Sequence, residues 1–235
     1  MGGWIKQIID MNYWIELDRT VTLFINGNHS PLSDGFFYLF SKINVWIPFY
    51  LSLLYIFYKR QGARIWVLLL SVGFTVLLAD QVSSGILKPL VARLRPSHDP
   101  DIQHLVHLVK GYRGALYGFV SSHAANTAGI ATLFILLIRR SLIVPVLVLW
   151  TALSSLSRVF LGLHFVGDIL AGSLVGIAAG IAGFAFYRFL NRKLSAKHPL
   201  YGSELSFSDA ELFIPTLIWL ISGLIMFAVS VVQHA

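Results

Sequence analysis

The chain has 235 residues, of which 56% are hydrophobic and 12% charged, with a mean hydropathy of +0.72 and a formal net charge of +7. Soluble domains carry about 25% charged residues, so this composition excludes an ordinary water-soluble globule, which would expose large apolar patches and aggregate. The basic residues sit in short segments between apolar runs, which favours membrane topology over nucleic-acid binding as the reason for the charge, and the absence of cysteine excludes disulfides and thiolate chemistry.

Residues 1–35 form a mixed N-terminal segment. In WIELDRTVTLFIN the apolar residues recur near helical spacing with Glu16, Asp18 and Arg19 between them, which predicts an amphipathic helix lying in the membrane interface. Residues 4–9 are too short and too interrupted for the apolar core of a cleaved signal peptide, so the first span is expected to act as an uncleaved insertion signal. Asn28-His29-Ser30 has the form of a glycosylation sequon, with Pro31 against its use.

Residues 36–235 are expected to fold as one all-α membrane unit, a bundle of six spans at roughly 36–58, 65–87, 117–138, 142–161, 165–187 and 211–233. The stretch 142–187 cannot be one helix, since at 1.5 Å per residue it would run about 69 Å, roughly twice a bilayer core. The turn is expected between Ser154 and Asp168, where Gly162 lies. Gly172, Gly176 and Gly180 fall four apart in the fifth span, a small-residue stripe suited to close helix packing within the chain or to a dimer seam.

Six spans fix sidedness. The N-terminus, the 88–116 loop, the 158–164 turn and the C-terminus share one face. The other face holds Lys59, Arg60, Arg64, Arg139, Arg140, Arg188, Arg192, Lys193 and Lys197 against Glu204, Asp209 and Glu211. By the positive-inside rule that basic face is cytoplasmic, and the first face looks outward to a periplasm or cell exterior.

Three polar clusters fall on the outward face. In SRVFLGLHFVGD, His164 and Asp168 are four apart and within reach of each other, and Arg158 offers a planar fork of donors. Ionisable groups at membrane depth are costly and usually functional; a structural ion pair with a snorkelling arginine is the other reading. KPLVARLRP places Lys88, Arg93 and Arg95 at the end of the second span, as phosphate ligands or interfacial anchors. GFVSSHAAN offers Ser121 and Ser122 at a helix start, where free N–H groups favour an anion, and the second histidine, His123. Two histidines, a carboxylate and several cations around one point are what phosphoryl transfer needs without a metal.

These residues resemble the three-part signature of the type 2 phosphatidic acid phosphatases, also called lipid phosphate phosphatases. Lys-x6-Arg-Pro (residues 88–96) and Ser-Arg-x5-His-x3-Asp (residues 157–168) match at every fixed position. The middle part, commonly Pro-Ser-Gly-His, is Val120-Ser121-Ser122-His123 here. The resemblance implies a phosphatase that uses no metal or other cofactor. His164 would attack phosphorus to form a phosphohistidine, and Asp168 would orient it. His123 would protonate the leaving oxygen and then activate water. Lys88, Arg95, Ser121, Ser122 and Arg158 would hold the phosphate. Arg93 lies in the variable interval and receives no role, and Asp80 either pairs with a basic residue of the site or faces a wet cavity.

The substrate class expected is a lipid phosphate or diphosphate in the outer leaflet, with membrane lipids around it and no nucleic acid. Undecaprenyl diphosphate, the polyprenyl carrier, ranks first. Lipid A, phosphatidylglycerophosphate and phosphatidate follow, then transfer to a lipid acceptor and non-catalytic binding or transport. The loop SHDPDIQHLVH offers His98, Asp99, Asp101, His104 and His107, but in no compact metal-ligand pattern, so a solvated loop is expected. Lys110, Tyr112 and Arg113 are candidates for headgroup recognition.

Overall fold

The computed structural model describes residues 3–140, 142–197, 205 and 207–233; Glu204, counted above with the basic face, lies outside them. Among the described residues the chain is helical, with a single isolated bridge pairing Leu94 and Tyr117. The helices are α1 (Gly3–Gly27), α2 (Pro31–Phe40), α3 (Ile47–Gln61), α4 (Ile65–Asp80), α5 (Lys88–Val91), α6 (Ser122–Ile138), α7 (Ile143–Phe160), α8 (Val166–Lys197) and α9 (Asp209–Val232).

Among the described residues, four helical stretches are long and apolar enough to cross a membrane: Ile43–Val91, Ile143–Phe160, Val166–Leu194 and Asp209–Val232. The shorter α6 is also apolar. Ile43–Val91 is not one straight rod, because Gly62, at φ 56° and ψ −132°, ends α3 and lets α4 set off in a new direction.

The span expected at 36–58 is divided. Ser30 and Ser33 close a capping box and Pro31 starts α2, which ends at Phe40. A 3-10 turn at Ile43–Trp46 follows, and Pro48 sits in the first turn of α3, where a missing N–H costs nothing. The second span ends in a π-helical turn, Gln81–Leu87. Pro89 lies just beyond it and cannot donate back to the preceding turn, which favours the wider winding there.

Two packing regions organise the molecule. One is aromatic: Trp150 of α7 lies at the centre of Trp46, Phe49 and Tyr50, and Phe57 packs on Phe134 and Phe207. The other is the seam between α6 and α8. A Cβ at Gly176 would overlap the Ala125 carbonyl, and one at Gly180 would stand 2.6 Å from the Gly129 carbonyl. The small-residue stripe therefore serves packing inside the chain. It brings the N-termini of α6 and α8 side by side, with the Ser121 N–H donating to the Asp168 carbonyl at 3.0 Å.

Helix α1 turns a polar stripe, Asp18, Thr22 and Asn26, onto α7 and α8, while Tyr13, Trp14 and Phe24 are exposed. Its polar face is thus the packed one.

Candidate active site

The site is built at one end of the bundle by four chain segments. The first runs from the π-helical turn through α5 to Pro96. Lys88 Nζ donates to Ser84 Oγ and to Ser122 Oγ, each at 3.1 Å. Ser84 Oγ in turn donates to Asp80 Oδ1 at 3.2 Å. Asp80 therefore reaches the lysine through a hydroxyl, and Lys88 ties this segment to the start of α6.

Residues 93–95 are fastened to residues 116–118. The Arg95 N–H donates to the Leu116 carbonyl at 3.1 Å and the Gly118 N–H to the Arg93 carbonyl at 2.8 Å. This pairing aims Arg95 inward, where it is only 8% exposed. Its Nη1 donates to the Leu163 carbonyl at 2.8 Å and approaches His164 Nε2 at 2.9 Å.

The third motif is shaped by a turn between α7 and α8. Gly162 has φ 71°, and a Cβ there would stand 2.7 Å from the His107 carbonyl, so glycine is required. The turn buries His164, 2% exposed, beside Asp168 at 0%. His164 lies just before α8 rather than on it, so its i,i+4 partnership with Asp168 spans the helix start. Asp168 Oδ2 lies 3.3 Å from His164 Nδ1 and accepts from the Phe165 N–H at 3.0 Å.

Arginine has no acceptor, so its contact with Nε2 identifies that nitrogen as the lone-pair atom. The proton then sits on Nδ1, facing the carboxylate. Burial, followed by the charges of Arg95, Arg158 and Lys88, holds the His164 pKa well below the ordinary histidine value. The result is a neutral imidazole whose unprotonated nitrogen faces Arg95.

The other expected residues divide. Ser121 is fully buried and caps α6, its hydroxyl accepting from the Ala124 N–H at 3.4 Å. Ser122 contributes its hydroxyl through Lys88. His123 lies within electrostatic reach of Arg158 and His164. Among the described residues, the buried His123 Nε2 and Arg158 Nε atoms have no hydrogen-bond partner. Tyr112 is 62% exposed and lies near Arg95 and Arg158, at the rim. Lys110 stands over the Tyr38 ring at 4.1 Å, and Arg113 donates to Gln103 Oε1 at 3.0 Å.

The contacts that Arg93, Asp18 and Thr22 make in this network were not anticipated, and Arg93 was named in its cluster without a role. Arg93 Nη1 donates to Asp168 Oδ1 at 3.1 Å, Arg93 Nη2 donates to Asp18 Oδ2 at 2.7 Å, and the guanidinium lies 4.0 Å over the Phe165 ring. Asp18 Oδ1 also accepts the Gly167 N–H at 2.8 Å, and Thr22 Oγ1 accepts the Val166 N–H at 3.1 Å. Helix α1 thus caps the start of α8 from outside, where the first N–H groups have no intrahelical acceptor. The only sequence signal was the i, i+4 spacing of Asp18, Thr22 and Asn26, in a helix that also carries Glu16, Arg19 and Thr20.

Comparison with known proteins points in one direction. A family model described as the PAP2 superfamily matches residues 64–193. A relative from Bacteroides thetaiotaomicron named lipid A 4'-phosphatase is 36% identical over 220 residues, covering 91% of this chain and 96% of its own. One of the same name from Porphyromonas gingivalis is 36% identical over 202 residues, covering 85% and 86%. The crystal structure of Aquifex aeolicus LpxE superposes with a TM-score of 0.53 at 27% identity, covering 72% of this chain and 95% of that one.

Proposed function

The chain belongs to the PAP2 superfamily and is a phosphatase of that superfamily, and we propose that it removes a phosphate from lipid A at the outward face of a bacterial inner membrane. Both relatives are named for lipid A, so lipid A takes the first place that the sequence reading gave to undecaprenyl diphosphate. Membership in a phosphatase family also sets aside the non-catalytic binding reading.

The observation that carries the chemistry is the Arg95–His164–Asp168 arrangement, with Nε2 as the lone-pair atom. His164 Nε2 attacks phosphorus, and the bond to the sugar oxygen breaks. His123 gives that oxygen a proton. The phosphoryl group then sits on Nε2, with Asp168 balancing the charge that develops on the ring. His123 next takes a proton from water, the hydroxide attacks phosphorus, and phosphate leaves with His164 restored. Lys88, Arg95, Arg158 and the N-terminus of α6 stabilise the equatorial oxygens. Ser121 supports this indirectly, by capping that helix.

In this reading six segments cross the bilayer: α3 and α4 on either side of Gly62, then α6, α7, α8 and α9. Residues 36–235 are the membrane unit, and α1 lies against its outward end with its exposed apolar residues toward lipid. The basic connections support a cytoplasmic position for the opposite end.

Phosphate release from lipid A, undecaprenyl diphosphate, phosphatidate and phosphatidylglycerophosphate, measured in detergent with EDTA present, tests the proposal. Lipid A should be preferred, and His164→Ala should lose activity by at least about 1,000-fold, the scale seen when a nucleophile is removed. Activity that survives in folded His164→Ala would sink the covalent mechanism. A different preferred lipid would sink the substrate assignment alone.

A further inference from the structure

Away from the phosphate site, three side chains from separate segments converge. They are His29 of the α1–α2 link, Asp34 in the first turn of α2, and His107 of the loop before α6, and one ligating atom of each lies within 4.8 Å of the others. His107 Nε2 is 2.7 Å from Asp34 Oδ2. The two imidazole rings lie face to face, with centroids 3.6 Å apart and planes 2° from parallel.

An Asp34–His107 ion pair leaves two features without a cause. His29 is exposed, yet its ring is laid flat on His107. Asp34 Oδ1 is buried with no hydrogen-bond partner among the described residues. The two imidazoles and the carboxylate bring two nitrogens and an oxygen within 4.8 Å of one another. We propose that His29, Asp34 and His107 bind one divalent transition-metal ion, zinc being the best match to this donor set, with water completing the coordination. Bonds of about 2.0–2.1 Å place tetrahedral zinc ligands about 3.3 Å apart. Binding would open the 2.7 Å His107–Asp34 contact and tilt the exposed His29 ring out of its stack on His107.

The supporting shell is already in place. Asn26 holds the main chain of His107 on both sides, its Oδ1 accepting the N–H at 2.8 Å and its Nδ2 donating to the carbonyl at 2.9 Å. Asn26 Nδ2 also donates to the Phe160 carbonyl at 2.9 Å. A bound ion would fasten the α1–α2 link to the loop that packs on the Gly162 turn. Its role is structural, because none of its ligands belongs to the phosphate motifs. Of the histidine-rich loop noted in the sequence, only His107 takes part: Arg19 engages Asp99 and Asp101, and Ser97 engages His98.

Metal-stripped protein in detergent would be titrated with zinc against a competing chelator dye, with thermal unfolding in parallel. One equivalent should bind per chain and raise Tm. His29→Ala and His107→Ala should each weaken binding at least 10-fold, with His98→Ala as an unaffected control. Since His29 is exposed and outside the catalytic machinery, His29→Ala should fold and keep its phosphatase rate in EDTA. No stoichiometric uptake would overturn the site. Uptake lost in His107→Ala but kept in His29→Ala would also overturn it. Failure of lipid A hydrolysis leaves this binding result readable by itself.

Discussion

His164 owes its Nδ1-protonated form to neighbours that each do one thing. Arg95 can only donate, so it holds the lone pair on Nε2, while Asp168 faces the opposite nitrogen. Arg93 touches no reacting atom; its part is to hold Asp168 from behind while gripping Asp18. Arg93→Ala should therefore lower kcat about 10- to 100-fold with little change in KM, the size seen when an outer-shell partner is lost. Asp18→Asn should do the same to a smaller degree, and a change in KM alone would refute the positioning role of both.

The buried imidazole also sets a pH dependence. Its folded pKa lies well below the ordinary 6.5 through burial and adjacent cations, so below that pH the unfolded chain binds the proton more readily. Stability from this group is present above pH 6.5 and falls as pH drops below it. Between about pH 7 and pH 5 the Tm of the wild type should fall more than that of His164→Gln. Equal slopes would remove His164 as the source. The sequence displayed Lys88, His123, His164 and Asp168 because fixed spacing in apolar surroundings exposes them. The pairing of Arg93 with Asp18 stayed hidden because it spans 75 residues and no local pattern marks it.

Among the elements, α6 and α8 form the seam on which the site depends, and glycine sets its depth. Gly176→Val would drive a side chain into the Ala125 carbonyl. It should cost about 1–3 kcal/mol or more by overpacking and should depress Tm and activity together. A variant with unchanged Tm would show that the seam yields. Thr22→Val keeps volume but removes the cap on the Val166 N–H, and should cost about 1 kcal/mol in thermal or denaturant unfolding. Helix existence was plain in the sequence for α7, α8 and α9, whose apolar runs have clear ends. The break between α2 and α3 was less visible, since it depends on Pro48 and the 3-10 turn within a continuously apolar run. The helical period in residues 14–26 was legible too. Which side of it would face protein was not, because the acceptors for Asp18, Thr22 and Asn26 lie far along the chain.

At the scale of the whole molecule, the basic connections at 59–64 and 139–140 lie at the opposite end from the phosphate site, and Arg60 pairs with Glu211 to join the ends of α3 and α9. The chain lacks cysteine, so a single introduced thiol reports sidedness without background. In intact spheroplasts, Tyr112→Cys should react with a membrane-impermeant maleimide, and Lys59→Cys should react only after lysis. The reverse pattern would turn the site to the cytoplasm. The external cap on α8 has a further consequence, for assembly. Asp18 and Thr22 meet Gly167 and Val166 across sequence separations of 149 and 144. Helix α1 leaves the ribosome first, yet its polar stripe has no counterpart until α8 emerges. The catalytic turn is therefore completed late in biosynthesis, and a chain begun after residue 28 would insert its spans but leave that turn open. Supplying the missing N-terminal helix as a separate peptide should then restore turnover.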